Sequence, residues 1–338
     1  MNKLTPITKI FNASSTEDQK QIVDTIYSKI TSLQPLHDIV ENINRKNIRV
    51  CPCCGKTHYY LNGKRNGVQT YKCKKSGKRF NEFSGTSVAY LKKKDLLRPF
   101  IQEMLSGSSL KTCTKLISIS IQTAFDWRHK IIAAVSKDAP KYFSGIAEMF
   151  EHQFSFSTKG QGAKARRIGQ KGEIKEDEIN KPKKKRCQEP VSVVVVNDRN
   201  NNLEFKVIKQ GKISEADLKK EFSSKFKKVK KLCIEQNSVI QQFTIGKKIS
   251  YHINENGKRV KGKNKYYNTK TARRTLFNLL FWMERFKGVS STYLQNYLYW
   301  FMLTEQLKHE RDLSSAFLEH SIQVKDGKER YKSCRMFD

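Results

Sequence analysis

The segment Gly145–Gly160, which reads GIAEMFEHQFSFSTKG, decides how the rest of the chain is interpreted. Residues 146–154 mix apolar and polar side chains as a short strand does, and glycines bound the segment on both sides. Glu148 and Glu151 lie where a strand entering a polar site can present carboxylates, and the apolar Phe150 stands between them. Before this segment the chain carries cysteines and helical repeats, and after it the pattern predicts a sheet-forming domain.

The apolar residues that follow predict an α/β domain with a mixed sheet at 141–303. Strands are predicted at Pro190–Asn197, Leu203–Ile208, 231–235 and 249–253, with helices from Ser214 to about Phe226 and at Thr271–Lys287 and Tyr293–Leu303. Strand, hairpin, helix, strand and helix is the order of a ribonuclease-H-like domain. In such a domain, carboxylates on neighbouring strands and on a late helix converge on two Mg2+ ions, which serve phosphodiester chemistry.

Two cysteine-containing turns precede this domain and predict a zinc-ribbon-like module at 48–81. CPCCG at 51–55 and YKCKKSGKRF at 71–80 flank a segment whose Asn-Gly dipeptides are strong hairpin signals. Paired CxxC turns at this separation typically hold one tetrahedral Zn2+, which supplies the folding free energy that a small module lacks.

The predicted zinc site has only three of its four cysteines. The three positions that match are Cys51, Cys54 and Cys73. The fourth is Ser76, a poor zinc ligand because its hydroxyl ionises only at high pH. Either Cys53, His58 or a water molecule completes the site, or the metal is lost.

Residues 82–140 predict a helix-turn-helix. An apolar face at 96–105 precedes two short helices, 110–117 and 121–130, which small residues separate. This layout can place a second, recognition helix in the major groove of DNA. The inward-facing residues are expected to be Ile121, Ala124, Phe125 and Ile131. The residues expected to reach DNA are Gln122, Thr123, Trp127, Arg128 and Lys130, whereas Asp126 would repel phosphate.

The charge of the chain favours a polyanionic partner. The 66 Lys+Arg against 32 Asp+Glu give a net charge of +34, and each phosphate that such a protein neutralises releases condensed counterions. A basic loop at 159–189, flexible by composition, adds Lys183, Lys184, Lys185 and Arg186 as further expected phosphate contacts. A helical leader at 1–47 and a C-terminal helix or tail at 304–338 complete a multidomain α+β chain.

The cysteines and apolar runs indicate a cytoplasmic protein. The cysteine spacing is not that of a secreted disulfide framework, and the N-terminus lacks a hydrophobic signal core. The longest apolar runs are too short to span a bilayer. We therefore expect a reducing compartment and, from the charge, association with the bacterial nucleoid.

Four motifs between residues 48 and 303 carry a resemblance to a known family. They are CPxCG with GVQTYKC and Gly85-Thr86, SxxTAFxWRHK at 120–130, the Glu148 to Lys159-Gly160 stretch, and WMxRFxGVxxxYLxNYLxW at 282–300. Together they resemble insertion-sequence transposases of the DDE type, relatives of the Merlin transposons. The resemblance implies a zinc ribbon and a helix-turn-helix before a ribonuclease-H-like domain that cuts and joins DNA ends with Mg2+. It also implies a dimer or larger assembly on DNA.

The resemblance implies which positions of this chain correspond to the family's catalytic residues. Most of those catalytic residues are replaced here by other residue types. The first Asp, two residues after the match to Glu148, is Phe150. The second Asp is Glu235, the third acidic position is Arg273, and the family's helix Lys is Leu280. Glu235 and Glu148 are therefore the vestigial catalytic candidates.

These positions predict a transposase-family protein that binds double-stranded DNA and is impaired or inactive in catalysis. Its expected metals are Zn2+ in the ribbon and, only if catalysis remains, Mg2+. One alternative is an active transposase that uses Glu148, Glu235 and an unrecognised ligand. The other nearby carboxylates, Asp198 and Asp217, lie in turn and helix-start contexts. A second alternative is a non-enzymatic DNA-binding regulator.

Overall fold

The chain, seen in a computed structural model, divides into two compact units. One combines Met1–Val135 with Leu303–Ser333, and the other combines Ser136–Met302 with Cys334–Asp338. The residues that the structure describes are 11–23, 50–65, 68–89, 91–135, 139–159, 189–254 and 266–322. Of the predicted helical leader, residues 16–23 form a helix, and residues 24–47 lie outside the described residues.

Three antiparallel strands form a small sheet in the first unit. They are β1 (Tyr59–Arg65), β2 (Val68–Cys73) and β3 (Arg79–Asn81), with β2 in the middle. Tyr71 and Phe80 are buried beside Cys51 and Cys73, and the ring of Tyr59 meets both aromatic rings edge-on. So small an apolar cluster gives a module little stability without a cross-link or a metal.

Four helices of the first unit pack around a second core. They are α1 (Leu97–Leu105), α2 (Leu110–Ile117), α3 (Ile121–Val135) and, near the C-terminus, α8 (Leu313–Ser321). Ser109 caps α2 through the N–H of Thr112, and Ser118 ends it with a left-handed backbone (φ 54°). The predicted pair of short helices is present as α2 and α3. The helix α8 contacts α1 and α3, so it belongs to this unit although it lies near the other end of the chain.

A five-stranded mixed sheet forms the centre of the second unit. Its strands are β4 (Ser144–Phe154), β5 (Val191–Asp198), β6 (Leu203–Gln210), β7 (Lys228–Glu235) and β8 (Ser250–Asn254), in the order β6-β5-β4-β7-β8. Strands β4, β5 and β6 are antiparallel neighbours, whereas β7 and β8 run parallel to β4. The result is an α+β protein whose mixed sheet is compatible with a ribonuclease-H-like domain.

Helices of the second unit cover the sheet, which explains why every residue of β5 is buried. They are α4 (Glu215–Phe222), α5 (Ser238–Gly246), α6 (Lys270–Glu284) and α7 (Leu294–Gln306). One core cluster joins Met149 and Val194 of the sheet to Phe222 and Phe243 of α4 and α5. Within the described residues, no helix has the length and apolar character needed to cross a membrane.

The longest motif of the resemblance, at 282–300, is an aromatic packing element. The rings of Trp282 and Trp300 are 4.9 Å apart, and so are those of Phe286 and Tyr297. Gln295 of α7 also accepts the Val207 N–H at 2.7 Å, so that its side chain occupies the open edge of β6. The side chains of this motif therefore pack against one another and cover the open edge of the sheet.

Candidate functional sites

Glu148 lies in the middle of the sheet and caps a helix. It is 1% exposed, and its neighbours in register are Asn197 of β5 and Cys233 of β7. Its Oε2 accepts the backbone N–H of Ala272 at 2.7 Å, in the first turn of α6. That N–H has no partner inside the helix, and the helix dipole favours a negative charge there. The carboxylate is therefore engaged in holding α6 against the sheet.

Arg199 supplies the counter-charge of Glu148. Its Nη1 lies 2.9 Å from Oε1 of Glu148, and its guanidinium also donates to Thr271 Oγ1 at 3.2 Å and to the Tyr266 carbonyl at 3.1 Å. Burial raises the pKa of the Glu148 carboxyl, and the Ala272 N–H and Arg199 oppose that rise. Arg199 lies in the turn after β5, and nothing in the sequence distinguishes it among the many basic residues.

Glu235 and Arg273, two positions that the resemblance assigns to catalysis, form an ion pair. Glu235 ends β7, and Arg273 lies in the second turn of α6. The Nε of Arg273 donates to Oε1 of Glu235, and Thr269 Oγ1 lies 3.4 Å from the same oxygen. The structure thus brings the two predicted positions together, but as cation and anion.

Phe150 and Leu280 contribute no ligand atom. Phe150 is 3% exposed and shares the Glu148 face of β4 through strand alternation. The paired residues of β4 and β7 end at Met149 and Ile234, so Phe150 and Glu235 are the next residues on their strands. Leu280 is half-buried on α6.

The other nearby carboxylates have structural partners. Asp198 accepts the N–H groups of Ser144, Asn200 and Asn202, which builds the turn after β5. Asp217 forms a capping box with Ser214 at the start of α4. Glu151 accepts the side-chain amide of Asn237 at 3.0 Å.

The side chains present do not fit a pair of Mg2+ ions. Mg2+ needs near-octahedral oxygen ligands at about 2.0–2.1 Å, and here the carboxylates of Glu148 and Glu235 are each bound to an arginine. In the described part of the chain, the one group of at least three close ligand-type side chains is the cysteine cluster. No acidic group of that kind occurs among the same residues.

The cysteine cluster consists of Cys51, Cys54 and Cys73, as the spacing predicts. Their sulfur atoms all lie within 4.8 Å of one another, and those of Cys54 and Cys73 are 3.5 Å apart. The alternatives Cys53 and His58 are not members of this cluster. Hydrogen bonds from the Ser76 side chain and backbone lower the pKa of Cys73 to about 6. A low thiol pKa favours the thiolate form of Cys73, which is the form that binds metal. The Lys56 N–H lowers the pKa of Cys54, but burial and the hydrogen bonds with Cys73 and Cys51 outweigh it, so that this pKa is raised.

Two residues expected to reach DNA are buried in the first unit. Trp127 is 4% exposed and packs edge-on against Phe100, with ring centroids 5.5 Å apart. Arg128 is 2% exposed and donates to the carbonyl of Ser108 at 3.0 Å. The prediction that these two side chains point to DNA is wrong, because they belong to the inward stripe of α3.

Ile121 does not belong to the buried stripe of α3. The sequence predicts that it faces inward, but it is 60% exposed. Gln122 is exposed and its side-chain amide donates to Asp126 at 3.0 Å. Thr123 and Lys130 are half-buried, and the Thr123 N–H donates to Ser120 Oγ at the start of α3. The remaining expected DNA contacts, Lys183–Arg186, lie outside the described residues.

Comparison with known proteins returns no relative. No protein-family model matches the sequence, and no curated protein matches it significantly. The function is therefore inferred from the fold, the Glu235–Arg273 ion pair and the cysteine cluster.

Proposed function

We propose that the protein is a transposase-family protein that binds double-stranded DNA and has lost metal-dependent cutting and joining of DNA ends. The observation that carries the loss is the Glu235–Arg273 ion pair beside the buried Phe150. Arginine remains positively charged at every physiological pH. Its guanidinium on Glu235 therefore competes directly with a divalent cation for that carboxylate.

The loss extends beyond one residue, because the remaining carboxylate also has another task. Glu148 caps α6 and binds Arg199, and a metal there would have to displace the arginine. Two-metal catalysis depends on a symmetric clamp around the attacking and leaving oxygens. Phe150 and Leu280 offer no oxygen atom to such a clamp.

DNA binding is supported by the charge of the chain and by the exposed start of α3. The net charge of +34 suits a phosphate backbone. Gln122 is exposed at the N-terminal end of α3, the part of a recognition helix that meets base edges, and Lys130 lies further along. Binding as a dimer or larger assembly on DNA remains part of this proposal.

The catalytic loss is tested by nicking of a DNA duplex built from the sequences that flank the gene, where a transposable element has its inverted repeats. We expect no Mg2+- or Mn2+-dependent product from the full chain above the level of Glu235→Ala. The control is Glu284→Ala, which removes an exposed carboxylate at the C-terminal end of α6. Cleavage that is lost in Glu235→Ala but kept in Glu284→Ala would establish an active transposase.

DNA binding is tested by the salt dependence of affinity for that duplex and for a scrambled one. We expect the logarithm of the association constant to fall linearly and steeply with the logarithm of salt concentration, because released counterions drive binding. Preference for the flanking sequences over the scrambled duplex supports the transposase-family assignment. Equal affinity for both duplexes favours the regulator or a non-specific binder, and a salt-independent affinity argues against DNA as the partner.

The cysteine cluster is proposed to hold one structural Zn2+. Thiolates and a tetrahedral arrangement suit this ion, and such sites contribute directly to folding free energy. We expect one Zn2+ per chain in protein purified under reducing conditions without chelator. A stoichiometry near zero would remove zinc from the proposal without affecting the DNA-binding test.

A further inference from the structure

The two cysteine turns of the ribbon have the same backbone structure. In the first, the N–H of Gly55 donates to the carbonyl of Cys51 at 2.8 Å, and in the second the N–H of Gly77 donates to Cys73 at 2.9 Å. Both glycines have a left-handed backbone, with φ of 67° and 66°. Position 76 in the second turn is therefore structurally equivalent to Cys54 in the first.

Ser76 places an oxygen at the corner that a fourth sulfur would take. Its Oγ lies 3.4 Å from the sulfur of Cys51, and its N–H donates to the sulfur of Cys73 at 3.4 Å. Tetrahedral Zn2+ with sulfur at about 2.3 Å and oxygen at about 2.0–2.2 Å requires sulfur–oxygen edges of about 3.5 Å and sulfur–sulfur edges of about 3.8 Å. The Cys51–Ser76 and Cys54–Cys73 separations, 3.4 Å and 3.5 Å, are close to those edges.

We propose that Ser76 Oγ is the fourth ligand of a divalent ion of the Zn2+ class, in a site of three sulfurs and one oxygen. This rests on the metal site proposed above and adds its ligand set. A neutral hydroxyl replaces a thiolate, so the occupied site carries one net negative charge instead of two. The oxygen is also the weakest ligand, and it makes the ion easier to exchange than in a four-thiolate ribbon.

The inference is tested with Co2+ as a spectroscopic probe of the full, reduced chain. Its ligand-field bands report the number of thiolates, and its thiolate charge-transfer absorption grows with each one. The variants are Ser76→Ala, which removes the oxygen, and Ser76→Cys, which supplies a fourth sulfur. Cys53→Ala is the matched control, because Cys53 is the neighbouring thiol outside the cluster.

We expect Ser76→Cys to add charge-transfer absorption and to tighten Co2+ binding by at least about tenfold. Mutation of a residue that merely supports a metal ligand already changes metal affinity by about that factor. Ser76→Ala should shift the bands and weaken binding, while Cys53→Ala should change neither. A Ser76→Ala spectrum and affinity equal to those of the unmodified chain would overturn the role of Ser76. A change confined to Cys53→Ala would assign the fourth position to Cys53. If the unmodified chain binds no Co2+, the metal site itself fails.

Discussion

At the scale of single residues, the environment of Glu148 gives this carboxylate a structural role beside Phe150, the position that the resemblance assigns to catalysis. The side chain is 1% exposed and satisfies the Ala272 N–H while it neutralises Arg199. Burying a charge costs free energy unless the charge is paired and hydrogen-bonded. The helix start and the arginine supply that pairing, so the residue has a structural reason to be acidic.

This environment predicts different costs for two substitutions of Glu148. Glu148→Ala removes the acceptor of the Ala272 N–H and should lower the free energy of unfolding of the second unit by about 2–4 kcal/mol. Glu148→Gln should cost less, because it keeps an acceptor and the raised pKa shows that burial already disfavours the charge.

The measurement is denaturant unfolding, with the exposed Glu284→Gln as control. Equal costs for the two substitutions of Glu148 would show that its charge, and not its acceptor oxygen, holds α6. Stabilisation of the unmodified chain by Mg2+, absent in Glu148→Gln, would instead indicate a working metal site.

A second residue-scale prediction concerns acid sensitivity of the first unit. His129 of α3 is 2% exposed, and burial together with the adjacent Arg128 lowers its pKa from 6.5 to about 4. The folded state therefore keeps the neutral ring where the unfolded chain takes up a proton. Its contribution to stability is present above pH 6.5 and is lost as the pH falls towards 4, up to about 3 kcal/mol.

The check is amide hydrogen exchange of α3 between pH 4 and 6.5, corrected for intrinsic rates. His129→Gln should flatten the loss of protection with falling pH, and the exposed His309→Gln should leave it unchanged. An unaltered slope in His129→Gln would assign the acid sensitivity to other groups.

At the scale of elements, α3 shows what the sequence could and could not predict. Its existence and its place after α2 follow from the apolar spacing and the small-residue turn. Its inward stripe follows only in part: Ala124 and Ile131 are buried as predicted, whereas Trp127 and Arg128 are also buried and Ile121 is exposed. From the sequence alone, a long cationic side chain is expected on the surface. Arg128 is buried because its guanidinium donates to the Ser108 carbonyl, a contact that depends on the tertiary structure.

The exposed face of α3 predicts how single charges change DNA affinity. Lys130→Ala should weaken binding uniformly across sequences and reduce the salt slope by about 1, as expected for one lost phosphate contact. Asp126→Asn should strengthen binding, because it removes a negative charge from an exposed face that is expected to approach phosphate. Both effects are measured by fluorescence anisotropy at several salt concentrations, and unchanged values in both variants would move the DNA surface away from α3.

The strands were largely predictable, whereas the partners within the site were not. Buried runs such as β5 fixed most strands to within about three residues, but α5 was missed because its short, Ile-containing sequence resembles a strand. The positions Glu235 and Arg273 could be aligned from the sequence. Their direct ion pair and the role of Arg199 depend on how the turn after β5 and the start of α6 meet, which no local pattern encodes.

At the scale of the whole molecule, the first unit is built from both ends of the chain. Arg98 of α1 binds Asp312 at 3.1 Å, and Asp312 also caps α8 through the Ser315 N–H. The side chains of the pair are 5% and 12% exposed. Removing one partner of so buried a pair leaves an uncompensated charge.

Asp312→Ala should therefore destabilise the first unit by about 3 kcal/mol, while the exposed Glu310→Ala should be close to neutral. Limited proteolysis and hydrogen exchange of α1 and α3 measure the loss, and protection in the second unit should not change. Equal protection of α1 in Asp312→Ala and Glu310→Ala would show that α8 is dispensable for this unit.

The contact of α8 with α1 and α3 also sets an order of events during protein synthesis. The ribosome completes β4 to β8 before it makes α8, so the second unit can fold while the first unit still lacks α8. A premature stop codon between residues 136 and 312 would spare α1, α2 and α3 yet remove α8, which packs against α1 and α3. In a gene that accumulates mutations, selection for the first unit would therefore preserve the reading frame through the second unit, even where the second unit itself were under no selection.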